Sequence, residues 1–452
     1  MSFPKGFVWG AAAAAHQIEG AYNADGRGKD IWDVFESENG KIFEGHTARV
    51  SCDHYRRYAE DIKIMKEIGL ENYRLSISWS RLIPDGAGAV NQKGVDFYKR
   101  LLSCLCENGI NPYITFYHWD LPYELHKRGG WLNPDSPDWF ARYAELAVKN
   151  FSEFSSRFIT FNEPQCFIGL GFQKGIHAPG LKHPARDVLQ MTHNVLKAHG
   201  TAVRAARAAA VRPILIGYAP TGEMCCPATE SAADIEAARE RMFSCPDLEN
   251  CADGISWWSD PIMLGKYPED GLKKYEGFLP DITAEDMKLI SEPIDFYCQN
   301  IYNGAFVRAG ENGKSEYVTR PAGGGKTAIG WHVTPQCMRW GPRFLYERYK
   351  KPIYITENGM SSHDWVSLDG GVHDPQRIDY TRRHLRELSK AIADGADVRG
   401  YFHWSIMDNF EWCQGYSDRF GLVYVDYQTQ ERVIKDSGRW YKTVIETNGE
   451  NI

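Results

Sequence analysis

The chain has 452 residues, of which 43% are hydrophobic, 25% charged and 13% aromatic, a globular balance that excludes disordered and fibrous classes. Lys and Arg total 52 against 59 Asp and Glu, and the net charge of −7 argues against a nucleic-acid partner. No apolar run approaches the roughly 20 residues of a membrane-spanning helix, so no membrane partner is expected.

From the N-terminus, Lys5 followed by the apolar residues 7–15 has the outline of a short secretion signal. A single Lys is a thin basic region, and residues 8–15 read instead as a buried first strand. Seven more short apolar, β-branched or aromatic runs follow, at 73–78, 112–117, 157–161, 213–218, 294–299, 352–356 and 398–403. Helical patterns of period 3.6 lie between them. Residues 53–69 carry Tyr55, Tyr58, Ile62, Met65 and Ile68 on one face, with Gly69 as a stop. Residues 93–109 repeat this with Val95, Tyr98, Leu102 and Leu105. Residues 137–154 do so with Phe140, Tyr143, Ala147 and Phe151, and 374–395 opens on Asp-Pro and closes on Gly. Eight alternating β and α units with no linker between them predict a single domain over 1–452. The expected fold is α/β, a (β/α)8 TIM barrel with its active site at the C-terminal ends of the strands. An open doubly wound sheet is the alternative; its dinucleotide-binding form lacks the GxGxxG that should follow the first strand.

The 11 cysteines form no CxxC and fit a reducing compartment better than a disulfide scaffold. Together with the weak signal, they give a cytoplasmic expectation. Cys225, Cys226, Cys245 and Cys251 gather near one loop, where a metal site or disulfide would need spacings that match no familiar zinc pattern.

The predicted strand ends hold the chemistry. The first leads to His16 and Gln17, the second contains Arg74 and leads to Trp79, and the third ends in His118, Trp119 and Asp120. The fourth ends in Asn162 and Glu163, the sixth in Asn300 with Tyr302 just after, and the seventh in Glu357. The eighth ends in Trp404, with Glu411 and Trp412 in its loop. No His and carboxylate trio has metal-ligand spacing, and no P-loop or nucleophile elbow is present, so no metal and no cofactor is expected. Taken singly, each residue has a plainer reading: a Glu as a salt-bridge partner, His118 as a satisfied core imidazole, Arg74 as counter-charge to a buried acid. Their convergence on one rim favours two carboxylates, Glu163 and Glu357, facing each other across the mouth of the barrel. Indoles to stack on sugar rings and amides to bind hydroxyls would surround them, which is the equipment of glycoside hydrolysis.

These residues fall in stretches that resemble glycoside hydrolase family 1, the β-glucosidase family. Thr160-Phe161-Asn162-Glu163-Pro164 looks like its acid/base motif and Ile355-Thr356-Glu357-Asn358-Gly359 like its nucleophile motif. Ala15-His16-Gln17-Ile18-Glu19-Gly20, Tyr117-His118-Trp119-Asp120-Leu121-Pro122 and Asp408-Asn409-Phe410-Glu411-Trp412 match in order along nearly the whole chain. The resemblance implies a retaining exo-β-glycosidase acting on small β-glucosides and cello-oligosaccharides, with β-fucosides and β-galactosides as related substrates. Glu357 would be the nucleophile and Glu163 the acid/base. Gln17, His118, Asn162, Glu411 and Trp412 would bind the sugar, Trp404 would be its floor and Trp119 would shape the pocket. Asn300 and Tyr302 would orient the nucleophile and the 2-hydroxyl, Trp331 would line the leaving-group side, and Arg74 would support Glu357. Glu411 stands where relatives acting on 6-phosphorylated sugars carry phosphate-gripping residues, so the resemblance implies an unphosphorylated sugar. A transglycosylase using the same intermediate, and a catalytically silent sugar-binding protein, are the competing readings.

Overall fold

All eight expected runs become parallel strands: β1 (Val8–Ala13), β2 (Asn72–Ser76), β3 (Asn111–Tyr117), β4 (Arg157–Asn162), β5 (Leu215–Ala219), β6 (Phe296–Asn300), β7 (Ile353–Asn358) and β8 (Val398–Trp404). They close into a barrel in sequence order, β8 pairing back onto β1 from Val8↔Gly400 to Ala12↔Trp404. The computed structural model describes residues 3–311 and 314–452.

Strand residues alternate between the inside of the barrel and its helical jacket. Tyr113, Ile159, Phe296, Tyr354 and Phe402 meet inside and make the barrel a packed core rather than a pore. The outward residues pack on the helices. The four expected helices are found at His54–Glu67, Gln92–Glu107, Ser136–Phe151 and Pro375–Ala393. Each turns its predicted stripe inward, Tyr58 being only half-buried; in Gln92–Glu107 the predicted Val95, Tyr98, Leu102 and Leu105 are buried, joined by Leu101.

Three details differ from the sequence reading. β1 stops at Ala13, and Ala15–Ile18 forms a helical turn, so His16 and Gln17 leave the strand direction. The backbone N–H of Ala15 donates to Ser76 Oγ at 2.7 Å instead of to a ladder partner. β5 begins at Leu215, since Pro213 has no N–H to offer; the Leu215 N–H reaches Ser156 O at 2.7 Å. Finally, β4 and β7 are three strands apart in the ring rather than opposite; β8 faces β4.

The β5–β6 and β6–β7 connections carry extra structure. Met224–Pro227 pairs with Gly304–Ala309, which pairs with Ser315–Tyr317, in a three-stranded sheet beside the barrel mouth. Helix Ala232–Phe243 packs on that sheet. All eleven cysteines are free thiols, and Cys225, Cys226, Cys245 and Cys251 are buried. No described helix is long and apolar enough to cross a membrane.

Candidate active site

Two irregularities in the ladder mark the rim. The register shifts between Ile159 and Asn162 on β4, and between Ile355 and Glu357 on β7. Such bulges re-aim side chains and occur beside functional sites. Glu163, Trp119 and Trp412 then take positive φ values of 45°, 78° and 49°. Each is a left-handed conformation costing about 1–3 kcal/mol for a residue with a side chain, and all three residues line the same cavity. Its volume is about 520 Å³, within the range of small-molecule sites.

The two carboxylates sit in unequal surroundings. Glu357 Oε1 accepts from Arg74 Nη1 at 2.6 Å, and its Oε2 accepts from the Tyr302 hydroxyl at 2.7 Å. Arg74 is itself buried and spends Nη2 on Asn162 Oδ1 at 2.6 Å. Asn300 Nδ2 donates to that same Asn162 oxygen at 2.9 Å and to Glu163 Oε1 at 2.8 Å. Thr356 Oγ1 donates to Asn300 Oδ1 at 2.7 Å and so fixes which end of the amide faces Glu163. Among the described residues no cation contacts Glu163. Burial and the charge of Glu357 push its carboxyl up to about 7, against the pull of Asn300, Cys166 and Arg74. Burial also raises Glu357, but there Arg74 and Tyr302 oppose it directly. The expectation that Arg74 and Tyr302 favour the ionised form of Glu357 therefore stands as a direction of pull, with burial outweighing it in the net shift.

His118 is 3% exposed, and burial and then Arg74 hold its pKa well below the usual imidazole range. Its Nε2 lies 3.1 Å from Asn162 Nδ2, a donor, so the neutral ring accepts there and carries its proton on Nδ1. The His118 ring stacks on Trp404 and Trp412, with centroids 5.7 and 6.0 Å apart. Trp119 stacks on Trp412 at 4.5 Å and donates Nε1–H to Asn162 O at 3.0 Å. Gln17 is fully buried on its helical turn; its Nε2 donates to Asn409 Oδ1 and Phe410 O, leaving Oε1 without a partner. Glu411 Oε2 is likewise buried and unpartnered. Trp331 packs on Tyr302 at 5.0 Å and on Phe420 at 6.1 Å, forming one wall of the cavity. All the sequence-predicted residues thus meet at one site, though Arg74, Gln17, Asn162 and Asn300 stand behind the cavity surface rather than on it.

The charge on Glu411 needs a refinement. Burial, then Asp418, Glu357 and Glu163, push its carboxyl well above the ordinary range. The charged groups that act most on Glu411 are the acids Asp418, Glu357 and Glu163, while Lys174 is a cation on the lining of the same cavity.

Sequence reasoning missed Gln165, Thr221, Glu223, Asp253 and Phe420, which also line the cavity. Gln165 lies on the short helix Pro164–Ile168 and the others on loops, whose path no periodicity reports. It also found no metal-like trio, yet folding brings His16, Asp30 and Asp33 within 4.8 Å of one another. Arg27 already occupies that cluster, at 2.5 Å from Asp30 and 2.6 Å from Asp33, and His16, 3.0 Å from Asp30 and with its pKa raised by it against the effect of burial, supplies the second positive charge. The cluster has a second use: His16 stacks flat against Trp412, centroids 6.0 Å apart, and backs the aromatic wall.

Comparison with known proteins decides the family. A sequence profile described as Glycosyl hydrolase family 1 matches residues 1–450. The chain belongs to glycosyl hydrolase family 1. It is 46% identical to Beta-glucosidase A of Acetivibrio thermocellus, over 99% of each protein. It is 43% identical to Beta-glucosidase A of Thermotoga maritima, over 99% of this chain and 98% of that one. Among solved structures, the Thermotoga maritima β-glucosidase in complex with glucoimidazole superposes with a TM-score of 0.90, covering 99% of both chains. The castanospermine complex of the same enzyme superposes with a TM-score of 0.91. The family 1 fold therefore spans the described chain, with the two strand-end glutamates at its mouth.

Proposed function

We propose that this family 1 hydrolase is a retaining exo-β-glucosidase that removes terminal β-D-glucosyl residues, with Glu357 as nucleophile and Glu163 as acid/base. The observation that carries the reading is the inequality of the two carboxylates: one held by Arg74 and Tyr302, the other buried without a cation and raised to about 7. A nucleophile must be ionised, and a general acid must keep its proton near neutral pH. The naming of relatives at 43–46% identity as β-glucosidases supports the substrate.

In the first step a Glu357 oxygen attacks the anomeric carbon. The carbon–oxygen bond to the leaving group breaks, and Glu163 gives that oxygen its proton. The product is a glycosyl ester on Glu357 and an ionised Glu163. Esterification removes the charge that raised Glu163, so its pKa falls and it becomes a base. It then takes a proton from water, whose oxygen attacks the same carbon and displaces Glu357. Two inversions restore the β configuration, and both carboxyls return to their starting forms. Glu411 Oε2, buried without a partner on the cavity wall, is suited to a sugar hydroxyl, with Gln17 Oε1 just behind that wall, and Trp404 offers a ring face to the sugar.

A proton NMR time course on 4-nitrophenyl β-D-glucoside, with the galactoside and the 6-phosphoglucoside in parallel, tests this. First release of β-glucose with the phosphorylated substrate untouched is expected. First release of α-glucose would remove Glu357 from the nucleophile role, and no turnover would refute the assignment.

A further inference from the structure

A second cavity of about 420 Å³ opens beside the first, and the two share Glu223 and Asp253 as a common lip. The barrel does not need the structure that forms it. Its walls come from the C-terminal end of helix Ala232–Phe243, the turn Leu248–Asn250, the end of helix Glu269–Lys274 and the strand Ser315–Tyr317.

The lip is pinned on both sides. The Tyr317 hydroxyl donates to Glu223 Oε2 at 2.6 Å, and Lys174 Nζ donates to Asp253 Oδ2 at 2.7 Å. Lys174 lines the first cavity, so this ion pair ties the loop after β4 to the wall of the second. Gln173 adds a bond from Nε2 to Leu248 O at 3.2 Å.

At its rim, exposed side chains hold hydrogen-bonding groups open to solvent. Arg241 spends Nε on the Tyr317 oxygen at 3.0 Å and covers one face of that ring at 4.5 Å, while both its Nη atoms make no bond among the described residues. The side chains of Asp247 and Asn250 likewise have no partner there, although both face the cavity. Arg241 and Lys274 are mixed with Glu223, Asp247 and Asp253, so neither sign dominates. That mixture suits neither a phosphate nor a lone cation. It suits a neutral polyol, which needs donors and acceptors together and gains from a fixed aromatic edge. The floor is made by Cys225 and Cys245, both 1% exposed. They act there as small uncharged filler, which gives the cysteine-rich segment a packing role.

We propose that this second cavity is a subsite for the distal units of a β-linked gluco-oligosaccharide whose terminal sugar occupies the first cavity. The chain would pass over the lip at Glu223 and Asp253, with Arg241, Asp247 and Asn250 as its hydrogen-bonding partners. The proposal rests on the glycosidase reading above and adds to it where a longer substrate goes.

The test is the chain-length dependence of kcat/KM. Wild type, Arg241→Ala and Asn250→Ala are compared on 4-nitrophenyl β-D-glucoside and on β-1,4- and β-1,3-linked gluco-oligosaccharides of two to four units. Wild type should gain about tenfold from the disaccharide to the tetrasaccharide in at least one series, as two or three net hydrogen bonds would give. Both variants should cut that gain to about twofold and leave the nitrophenyl glucoside within twofold of wild type. Asn250→Ala removes an exposed side chain with no internal bond, so it guards against misfolding of the Arg241 variant. A flat response of wild type in both series would overturn the subsite, as would a gain that survives in both variants. Failure of wild type to turn over the nitrophenyl glucoside would refute the glycosidase reading and the subsite with it.

Discussion

Replacing Glu163 by Gln should make the protein more stable and less active, with the gain in stability confined to the less acidic pH range. The Glu163 carboxyl is raised from an ordinary value of 4.5 to about 7, chiefly by burial and then by Glu357. The folded protein therefore keeps a proton that the unfolded chain releases above pH 4.5. An excess of protons on the folded state means that stability falls as pH rises from 4.5 to 7 and levels off above. The gap between 4.5 and about 7 is worth about 3 kcal/mol at 1.36 kcal/mol per pH unit. Gln has nearly the same shape, can accept from Asn300 through its carbonyl oxygen, and has no proton to lose. Urea unfolding should then show Glu163→Gln about 3 kcal/mol more stable than wild type at pH 8 and equal to it near pH 4. Turnover of cellobiose, whose leaving group needs a proton, should fall about 10²–10⁴-fold in the same variant. An equal gain at both pH values, or a loss at pH 8, would refute the inference that Glu163 is a buried acid with a raised pKa.

The same pKa sets the alkaline limb of activity: kcat/KM should fall about tenfold between pH 6 and pH 8, the loss of the protonated form across a pKa of about 7; a limb above pH 9 would assign the acid elsewhere. Glu357→Ala should lose nearly all turnover, and added azide should rescue it as the α-azide, whereas azide should rescue Glu163→Ala as the β-azide. Identical anomers from the two variants would contradict the division of roles. Tyr302→Phe removes the hydrogen bond that pulls the Glu357 pKa down, so the acid limb of the pH–rate profile should move upward and the rate should drop at least about tenfold. An unmoved acid limb would detach Tyr302 from Glu357. Arg27→Ala should cost about 3–5 kcal/mol in urea unfolding, because Asp33 would be left buried without its cation and Asp30 with His16 alone; a loss under about 1 kcal/mol would mean that water replaces the guanidinium.

How much was legible in advance depended on the range of the signal. The eight strands were readable because each is a short run of residues buried on both faces, and the helices because their stripes repeat every 3.6 residues. The residues at the strand ends followed from the barrel. What escaped was whatever depends on where a loop goes in space. Glu223 and Asp253 are separated by a strand, a helix and a turn in the sequence, yet share one lip. Arg27 pairs with both Asp30 and Asp33 in a segment with no strand or stripe to announce it. The cysteine-rich segment drew attention as chemistry, whereas the fold uses Cys225 and Cys245 as filler beneath polar groups.

The asymmetry of the two glutamates also follows from the ring order rather than from the residues alone. Arg74 rises from β2, and one guanidinium serves both sides of the mouth: Nη1 meets Glu357 on β7, while Nη2 meets Asn162 at the end of β4. Asn300 at the end of β6 then passes the connection from Asn162 to Glu163 as a neutral amide. One carboxylate therefore receives the cation directly, and the other receives a dipole. In a site this buried, a direct charge contact is worth more than a hydrogen bond from an amide. Exchanging the cation's position would exchange the roles. In Arg74→Lys a single ammonium cannot reach both Glu357 and Asn162 in the forked geometry of the guanidinium, so the Glu357 pKa should rise. The acid limb of the pH–rate profile would move up toward the alkaline limb set by Glu163, narrowing the active range from the acid side. A profile that narrowed from the alkaline side instead would mean that Arg74 acts chiefly on Glu163.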